Sequence, residues 1–506
     1  MAQQLIKKIV IVGGGTAGWM AASALAKFLE ESATSIHLVE SSSIGTVGVG
    51  EATIPTIVGF NQFLGLDEPD LMRRTQASFK LGIRFDDWAG PGSRFLHPFA
   101  NYGVPLHDIP FQSIWARARA GGDRTPMEAY CLPSMMARDS RFALPPPDNN
   151  NPLGEFGYAY QFDATLYAQY LSEYAMKRGV QRTDARVREV HTRGSDGYIE
   201  SISLDSGERI EGDLFVDCSG FRGLMIGESQ QASFEDWSHW LPANRALAVQ
   251  TESVAPPVPY TRSTTREAGW QWHIPLQHRV GNGYVYCSNY QDDEQARETL
   301  LRNVEGKLLT EPNTLSFQTG MREVFWKNNC VALGLAAGFM EPLESTSIAL
   351  IQSGIRLLQT FFPRHGYRQC DIDEANRQGR EIYQSMRDFL ILHYKLNRRT
   401  GDPFWDDCRD MEIPETLAHK LAVYQSRAYL VEYGDEPFKE GSWLSMYAGF
   451  GIDPESYDGR ADRISETELG RSLEQMKTII SNAAKLAPVH SDFLGNYCQA
   501  PLVGAT

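Results

Sequence analysis

The chain has 506 residues, enough for about three domains of ordinary size, and 42% of them are hydrophobic, as in a globular protein with a large core. Its 48 basic and 63 acidic residues give a net charge of −15. That balance argues against a general nucleic-acid binder, because such a protein needs an excess of base to neutralise phosphates.

The first 40 residues predict a βαβ unit. A β-branched run at residues 9–12 reads as a buried strand, residues 19–28 have helix-forming composition, and residues 36–40 read as a second strand. The fingerprint Gly13-x-Gly15-x-x-Gly18 joins the first strand to the helix, where its glycines, with Thr16 and Ala17, can approach a pyrophosphate. Glu40 can accept the ribose hydroxyls of a dinucleotide. The unit therefore predicts FAD or NAD in preference to NADP.

Two later segments bear on the choice between FAD and NAD. Residues 213–220 and 329–338 each read as a strand that ends in glycine, and the second includes Leu335 and Gly338. Taken alone, each is also explained as a sheet strand with a tight turn. Together with the first strand and its glycine turn, the chain has three strand-to-glycine crossings, that is, strands that end in a glycine turn. Three of them spread along one chain favour a cofactor as long as FAD.

The rest of the chain divides into a sheet-rich part and a helical part. Residues 245–290 alternate large apolar and polar residues, which predicts antiparallel sheet, and residues from about 371 onward are mostly helical in pattern. The predicted fold class is α/β, an FAD-binding Rossmann-like domain with an antiparallel sheet insertion and a mostly helical C-terminal region. We expect a cofactor and halide domain at residues 1–370 and a substrate-binding region at 371–506.

The segment Trp270-x-Trp272-x-Ile274-Pro275 places two indoles on one face of a strand, because side chains alternate along a strand. The simpler interpretation is a half-buried aromatic strand. The functional one is a wall of rings that separates a flavin from a second site.

This segment and the glycine fingerprint together resemble the signature pair of flavin-dependent halogenases of the tryptophan halogenase family. Three further stretches resemble that family in the same order, at residues 48–55, 79–85 and 341–348. The resemblance implies an enzyme that uses FADH2, O2 and chloride or bromide to make hypohalous acid, which travels through a tunnel to an aromatic substrate. A separate NAD(P)H-dependent flavin reductase is expected to supply the FADH2.

The resemblance also implies roles for particular residues. Lys80 matches the essential lysine at the tunnel end, where it orients the oxidant as an ammonium or carries the halogen as an amine; the sequence leaves that protonation state open. Glu344 matches the catalytic glutamate. The remaining matches are the halide-binding Thr346 and Ser347, the bridging Ser345, the wall residues Trp270 and Trp272, and the strap over the flavin with Gly48, Gly50, Ala52, Thr53 and Ile54.

For the substrate, His97, Phe99 and Trp443 resemble the family's indole-packing residues, although each could equally be core. Tryptophan-specific members carry a Tyr pair and a Glu before that Trp, which bind the amino acid's ammonium and carboxylate. Here Val431-Glu432-Tyr433 and Phe438 stand in that region, and Glu436 and Glu440 do not match the spacing of the family's glutamate. We therefore expect indole or a larger indole derivative to be preferred over free tryptophan.

Two alternatives stay open, a flavin-dependent aromatic hydroxylase and a non-catalytic FAD-binding protein; a tryptophan halogenase proper is the variant within the family. The seven cysteines are scattered without a Cys-x-x-Cys spacing, and the eleven histidines, His37 and His393 among them, form no metal-ligand cluster and are expected to be packing or surface residues. No apolar run approaches the ~20 residues of a membrane span. We expect a cytoplasmic protein without metal, and the sequence leaves the ring position, the preferred halide and the oligomeric state open.

Overall fold

The computed structural model describes residues 5–43, 50–146 and 152–501. The helices, in chain order, are α1 (Thr16–Phe28), α2 (Thr56–Leu64), α3 (Glu68–Arg74), α4 (Phe111–Ala120), α5 (Leu132–Arg138), α6 (Ala164–Lys177), α7 (Asp293–Asn303), α8 (Ser347–Thr360), α9 (Gln369–Leu396), α10 (Pro403–Asp410), α11 (Glu415–Arg427), α12 (Glu440–Gly449), α13 (Glu466–Leu486) and α14 (His490–Tyr497). The strands are β1 (Lys8–Val12), β2 (Ser35–Glu40), β3 (Gly50–Ala52), β4 (Ser78–Lys80), β5 (Gly82–Asp86), β6 (Arg94–Pro98), β7 (Ala159–Asp163), β8 (Gln181–Asp184), β9 (Val187–Thr192), β10 (Ile199–Leu204), β11 (Arg209–Glu211), β12 (Leu214–Asp217), β13 (Phe234–Asp236), β14 (Arg245–Thr251), β15 (Thr261–Arg266), β16 (Gly269–Pro275), β17 (Val280–Tyr286), β18 (Asn313–Ser316), β19 (Gly320–Arg322), β20 (Trp326–Lys327), β21 (Cys330–Ala332) and β22 (Gly338–Phe339).

A mainly parallel sheet carries the predicted dinucleotide fingerprint. Its order is β20-β21-β12-β1-β2-β8, and only β20 pairs antiparallel to its neighbour. The central strand β1 is buried along most of its length, which explains its unbroken β-branched sequence. The three predicted strand-to-glycine crossings follow β1, β12 and β21, which are adjacent in this sheet, so their carboxyl ends meet at one edge.

A second, seven-stranded sheet has the order β18-β14-β17-β16-β15-β5-β6 and is antiparallel except between β15 and β5. A three-stranded sheet, β3-β7-β4, holds the strap strand β3 and the Lys80 strand β4 on either side of β7. The helix α6 begins at Ala164, directly after β7, and the Asp163 carboxylate caps it by accepting from the N–H groups of Thr165 and Leu166.

From Gln369 to Tyr497 the described elements are helical, so the predicted fold class, α/β with an antiparallel insertion and a helical C-terminal region, is confirmed. Side chains from both parts pack into one continuous core. The division at residue 370 stays a prediction. Within the described residues, no helix is long and apolar enough to cross a membrane.

Candidate active site

Lys80 ends the strand β4 and is completely buried. Its ammonium nitrogen donates to the Thr53 carbonyl at 3.0 Å and to Ser345 Oγ at 2.8 Å. The Phe99 ring centroid lies 5.3 Å from the same nitrogen. Burial lowers the pKa of Lys80 to about 7, and the negative charge of Glu344 opposes that shift. Lys80 can therefore act as an ammonium or as an amine near neutral pH.

Glu344 is also fully buried and is held between two histidines. His97 Nδ1 lies 2.8 Å from Oε2, and His393 Nε2 lies 2.8 Å from Oε1. Burial by itself raises the pKa of Glu344, but the two histidines outweigh it and lower that pKa to about 2. His393 is a buried packing residue, as expected, and in addition it contacts Glu344.

Ser345 connects this centre to a large cavity. It has a left-handed backbone, with φ of 59°, and lines the cavity while its hydroxyl accepts from Lys80. Thr346 and Ser347 follow at the N-terminus of α8, where the first N–H groups of a helix have no partner within the helix. Thr346 Oγ1 is buried and has no hydrogen-bond partner among the described residues. These features fit the predicted anion site beside the cavity.

The cavity has a volume of ≈ 1130 Å³. The predicted site residues that line it are Gly13, Gly15, Thr16, Ala17, Glu40, Ala52, Trp270, Trp272, Leu335, Gly338, Ser345 and Ser347. Gly18, Thr53, Ile54 and Thr346 do not line it. Gly50 begins β3, and Gly48 lies outside the described residues.

The fingerprint glycines fit a dinucleotide for separate reasons. Gly13 has φ of 115°, and a Cβ there would lie 2.1 Å from the Cys218 carbonyl oxygen. A Cβ on Gly18 would lie 1.8 Å from the Gly13 carbonyl oxygen, so Gly18 serves the packing of α1 on β1. At Gly15 a Cβ meets nothing within 4 Å, so the side-chain position opens into the cavity. The residues present therefore fit the phosphates of FAD.

Glu40 lies at the edge of this cavity, where Arg182 Nε donates to its Oε1 at 2.5 Å. A carboxylate has about four acceptor positions, so the pair leaves acceptors for ribose hydroxyls. Arg182 and Arg186 also line the cavity and bring positive charge that the sequence did not indicate.

Trp270 and Trp272 both line the cavity, with ring centroids 6.1 Å apart, as expected for side chains on one face of β16. Trp272 lies against Gly283, where a Cβ would be 2.0 Å from its ring. Trp270 Nε1 donates to Glu341 Oε1 at 3.0 Å, and the Tyr394 hydroxyl donates to the same oxygen. Burial raises the pKa of Glu341 to about 7, because no cation faces it among the described residues.

An aromatic cluster extends from Lys80 toward the C-terminal helices. The centroids of Phe99 and His97 are 6.3 Å apart, and His97 lies near Phe389 and Phe438, which stack on each other at 4.0 Å. Trp443 contacts Phe389 edge to face at 5.1 Å. His97, Phe99 and Trp443 therefore belong to one cluster, in which Phe389 contacts both His97 and Trp443.

A buried ion pair lies beside Trp443. Lys420 donates to Glu436 at 2.8 and 3.0 Å, and its nitrogen is 4.5 Å from the Trp443 ring centroid. The N–H of Tyr433 donates to the same carboxylate at 2.7 Å. No sequence pattern indicates this pair, since Lys420 is on α11 and Glu436 is in the following loop.

Comparison with known proteins places this geometry in a family. The family model for tryptophan halogenase matches residues 8–466. The chain belongs to the tryptophan halogenase family. A tryptophan 6-halogenase from Streptomyces toxytricini is 38% identical over 82% of this chain and 83% of its own length. A flavin-dependent halogenase from Brevundimonas sp. BAL3 is 48% identical, with a TM-score of 0.95 over 98% of this chain and 99% of that one.

A second solved structure, a flavin-dependent halogenase from Xanthomonas campestris, is 45% identical with a TM-score of 0.95, covering 99% of this chain and 100% of that chain. The predicted family is confirmed, and the chain is a flavin-dependent halogenase, which makes it an enzyme. No group of three or more metal-ligating side chains occurs within the parts of the chain that the structure describes.

Proposed function

We propose that this halogenase uses FADH2, O2 and chloride or bromide to halogenate an indole or an indole derivative, with Lys80 as the residue that presents the halogen. The observation that carries the proposal is the contact of Ser345 with both the cavity and the Lys80 nitrogen. Bound in the cavity, the reduced flavin would supply the two-electron chemistry with O2 that converts halide to hypohalous acid. A separate flavin reductase would regenerate FADH2.

The protein's own residues then act on the hypohalous acid. The α8 N-terminus, with Thr346 and Ser347, holds halide beside the cavity. Lys80 hydrogen-bonds the oxidant and directs its halogen toward the ring. The carbon–halogen bond forms as the halogen–oxygen bond breaks, and the ring proton leaves with hydroxide as water. Glu344 assists because its ionised carboxylate stabilises the positive charge that develops on the ring.

Trp270 and Trp272 form the wall between the cavity and the substrate side. Bulky rings there keep an aromatic substrate away from the flavin while a small oxidant passes. A hydroxylase that shares the FAD frame would need its substrate to reach the flavin. The two indoles, which line the cavity side by side, therefore favour halogenation over hydroxylation.

The preference for an indole follows from the aromatic cluster around His97 and from the Lys420–Glu436 pair. Aromatic rings beside Lys80 suit an indole, with each stacking contact contributing ~0.5–1.5 kcal/mol beyond its buried area. Glu436 already accepts from Lys420 and from the Tyr433 N–H, so its charge is compensated within the protein. Free tryptophan would bring an ammonium that this carboxylate does not bind, and we propose that indoles without that ammonium are preferred.

The test is a mass-spectrometric assay with FAD, a flavin reductase, NADH and O2. Indole and tryptophan are supplied in parallel with chloride, bromide or no halide, to wild type, Lys80→Met and the control Lys395→Met, which alters a lysine that donates to the Met411 carbonyl. We expect halogenated indole in excess over halogenated tryptophan, no product with Lys80→Met, and wild-type product with the control. A gain of oxygen without halogen contradicts halogenation, and faster turnover of tryptophan contradicts the substrate assignment.

A further inference from the structure

His393, on α9, is a fully buried histidine that the reaction above does not use. Its ring lies among Phe85, Trp88, Phe389 and Phe450, with centroids 5.1 to 6.4 Å away. Buried polar groups in such surroundings need hydrogen-bond partners, and both ring nitrogens of His393 have one. The identity of these partners determines how many protons the ring carries.

Nδ1 of His393 lies 2.7 Å from the Phe389 carbonyl oxygen, which can only accept, so Nδ1 must carry a hydrogen. Nε2 lies 2.8 Å from Glu344 Oε1. If the ring were neutral and the carboxylate ionised, two lone pairs would face each other at that distance. The pair therefore holds one additional proton, either on Nε2 or on the carboxyl group. Although burial raises it, the pKa of Glu344 is lowered to about 2 by the two histidines, so the carboxylate is ionised and the additional proton lies on Nε2 of His393.

We propose that His393 is a positioning residue that carries a proton on both ring nitrogens and makes the Glu344–His393 pair electrically neutral. The inference rests on the proposed function in one respect, the role of Lys80. Among the described contacts, the charged or titratable groups that face Glu344 are His97, His393 and Lys80. Among the same contacts, the charged group that faces His393 is Glu344.

The consequence concerns Lys80. A lone carboxylate beside a buried lysine favours the ammonium, whereas a carboxylate already balanced by an imidazolium favours it less. Burial lowers the pKa of Lys80 to about 7 and the charge of Glu344 opposes that shift, so the way in which this charge is balanced affects the protonation of Lys80. His393 thus keeps Glu344 ionised and also leaves the Lys80 amine accessible during turnover.

His490 offers an internal control. It is equally buried, and its Nδ1 also lies 2.7 Å from a carbonyl oxygen, that of Pro257. Its Nε2, however, accepts from the Phe79 N–H at 3.3 Å, so that nitrogen cannot carry a hydrogen and the ring is neutral. Burial lowers the pKa of His490 to about 4. The two histidines therefore have the same kind of partner at Nδ1, a backbone carbonyl, and different partners at Nε2.

The decisive measurement is 15N NMR of the full-length protein with labelled histidine, between about pH 6 and pH 9. His393→Gln and His490→Gln assign the two signals. We expect two protonated nitrogens on His393 and one on His490 near neutral pH. A single protonated nitrogen on His393, as on His490, would overturn the proposal. Halogenation is not needed for this readout, so an inactive enzyme would contradict the proposed function and leave the inference testable.

A second readout is the pH profile of kcat/KM for indole bromination. In His393→Gln the amide can still donate to Glu344 but cannot balance its charge. The limb of the profile that reports the ionisation of Lys80 should then shift to higher pH by roughly 1 unit, because an uncompensated carboxylate favours the ammonium. His490→Gln should leave the limb in place. An unchanged limb in a folded His393→Gln protein would overturn the link to Lys80.

Discussion

Glu341 and Glu344 lie at the two ends of one short turn, and both side chains are fully buried, yet their surroundings differ in charge. Glu341 receives hydrogen bonds from the neutral groups of Trp270 and Tyr394, and burial raises its pKa to about 7. Glu344 lies between two histidines, which lower its pKa to about 2. The comparison shows that burial alone does not set the charge of a carboxyl group; the partners that neighbouring elements supply decide it.

The two sides of the turn also face different parts of the molecule. Glu341 accepts from the indole of Trp270, which lines the large cavity, whereas Glu344 lies with Lys80 on the side of the aromatic cluster. A group that should stay neutral and a group that should stay ionised are therefore three residues apart in sequence. Substitutions that remove charge but keep shape can separate the two roles.

The largest expected effect is on turnover in Glu344→Gln. This change removes the charge that faces Lys80, and loss of a group that acts on charge in the transition state commonly lowers kcat by roughly 100-fold or more. In Glu341→Gln the acceptor for Trp270 and Tyr394 remains, so the loss should stay near ~5-fold, the equivalent of about one weakened hydrogen bond. The measurement is kcat for indole bromination by both variants. Equal losses would show that the charge difference between the two glutamates does not matter for the reaction.

The next effect is on stability against pH, and the two glutamates should act in opposite directions. Between pH 4.5 and about 7 folded Glu341 keeps a proton that the unfolded chain has released, so its contribution to stability is complete below 4.5 and is lost as pH rises to about 7. Folded Glu344 lacks a proton that the unfolded chain holds between about 2 and 4.5, so its contribution is present above 4.5 and is lost as pH falls to about 2.

Thermal midpoints across these two windows measure the difference. Each glutamate can contribute a slope of at most ~1.4 kcal/mol per pH unit. We expect Glu341→Gln to flatten the decline above pH 4.5, and Glu344→Gln to flatten the loss below it. If Glu341→Gln leaves the upper window unchanged, the Glu341 carboxyl is not neutral in the folded protein.

The sequence predicts the parts of this arrangement that depend on local pattern. The glycine fingerprint and the shared face of Trp270 and Trp272 follow from the sequence patterns of a βα turn and a strand. The structure places Gly13, Gly15 and both indoles at the cavity. The predicted α/β fold class follows from the same kind of evidence, the hydrophobic patterns of strands and helices. The protonation partners do not, because His393 is 49 residues from Glu344 and His97 is 247 residues from it. Such contacts depend on how α9 and β6 pack around the turn.

The Lys420–Glu436 pair could not be predicted from the sequence for the same reason, because it too depends on how separate elements pack. Both residues read as ordinary surface charges in sequence, since Lys and Glu are rarely buried unless they are paired. Only the packing of α11 against the loop before α12 excludes water from them and leaves both 4% exposed. The Lys420–Glu436 pair gives a physical reason for the expected preference for indole over free tryptophan, and the role of Trp443 in substrate binding stays a proposal.

The smallest expected effect concerns Ser345, which follows Glu344 and has φ of 59°. Ser345→Ala removes the hydroxyl that accepts from Lys80 and keeps the strained backbone. Ser345→Gly removes the same hydroxyl and relieves strain, because glycine adopts positive φ at little cost, so it should be more stable than Ser345→Ala by ~1 kcal/mol. Both variants should lose turnover to a similar extent, since each leaves Lys80 with the Thr53 carbonyl as its remaining oxygen partner among the described contacts. Paired thermal midpoints and kcat values test this, and a Gly variant that is both more stable and fully active would show that the hydroxyl contributes nothing to the position of Lys80.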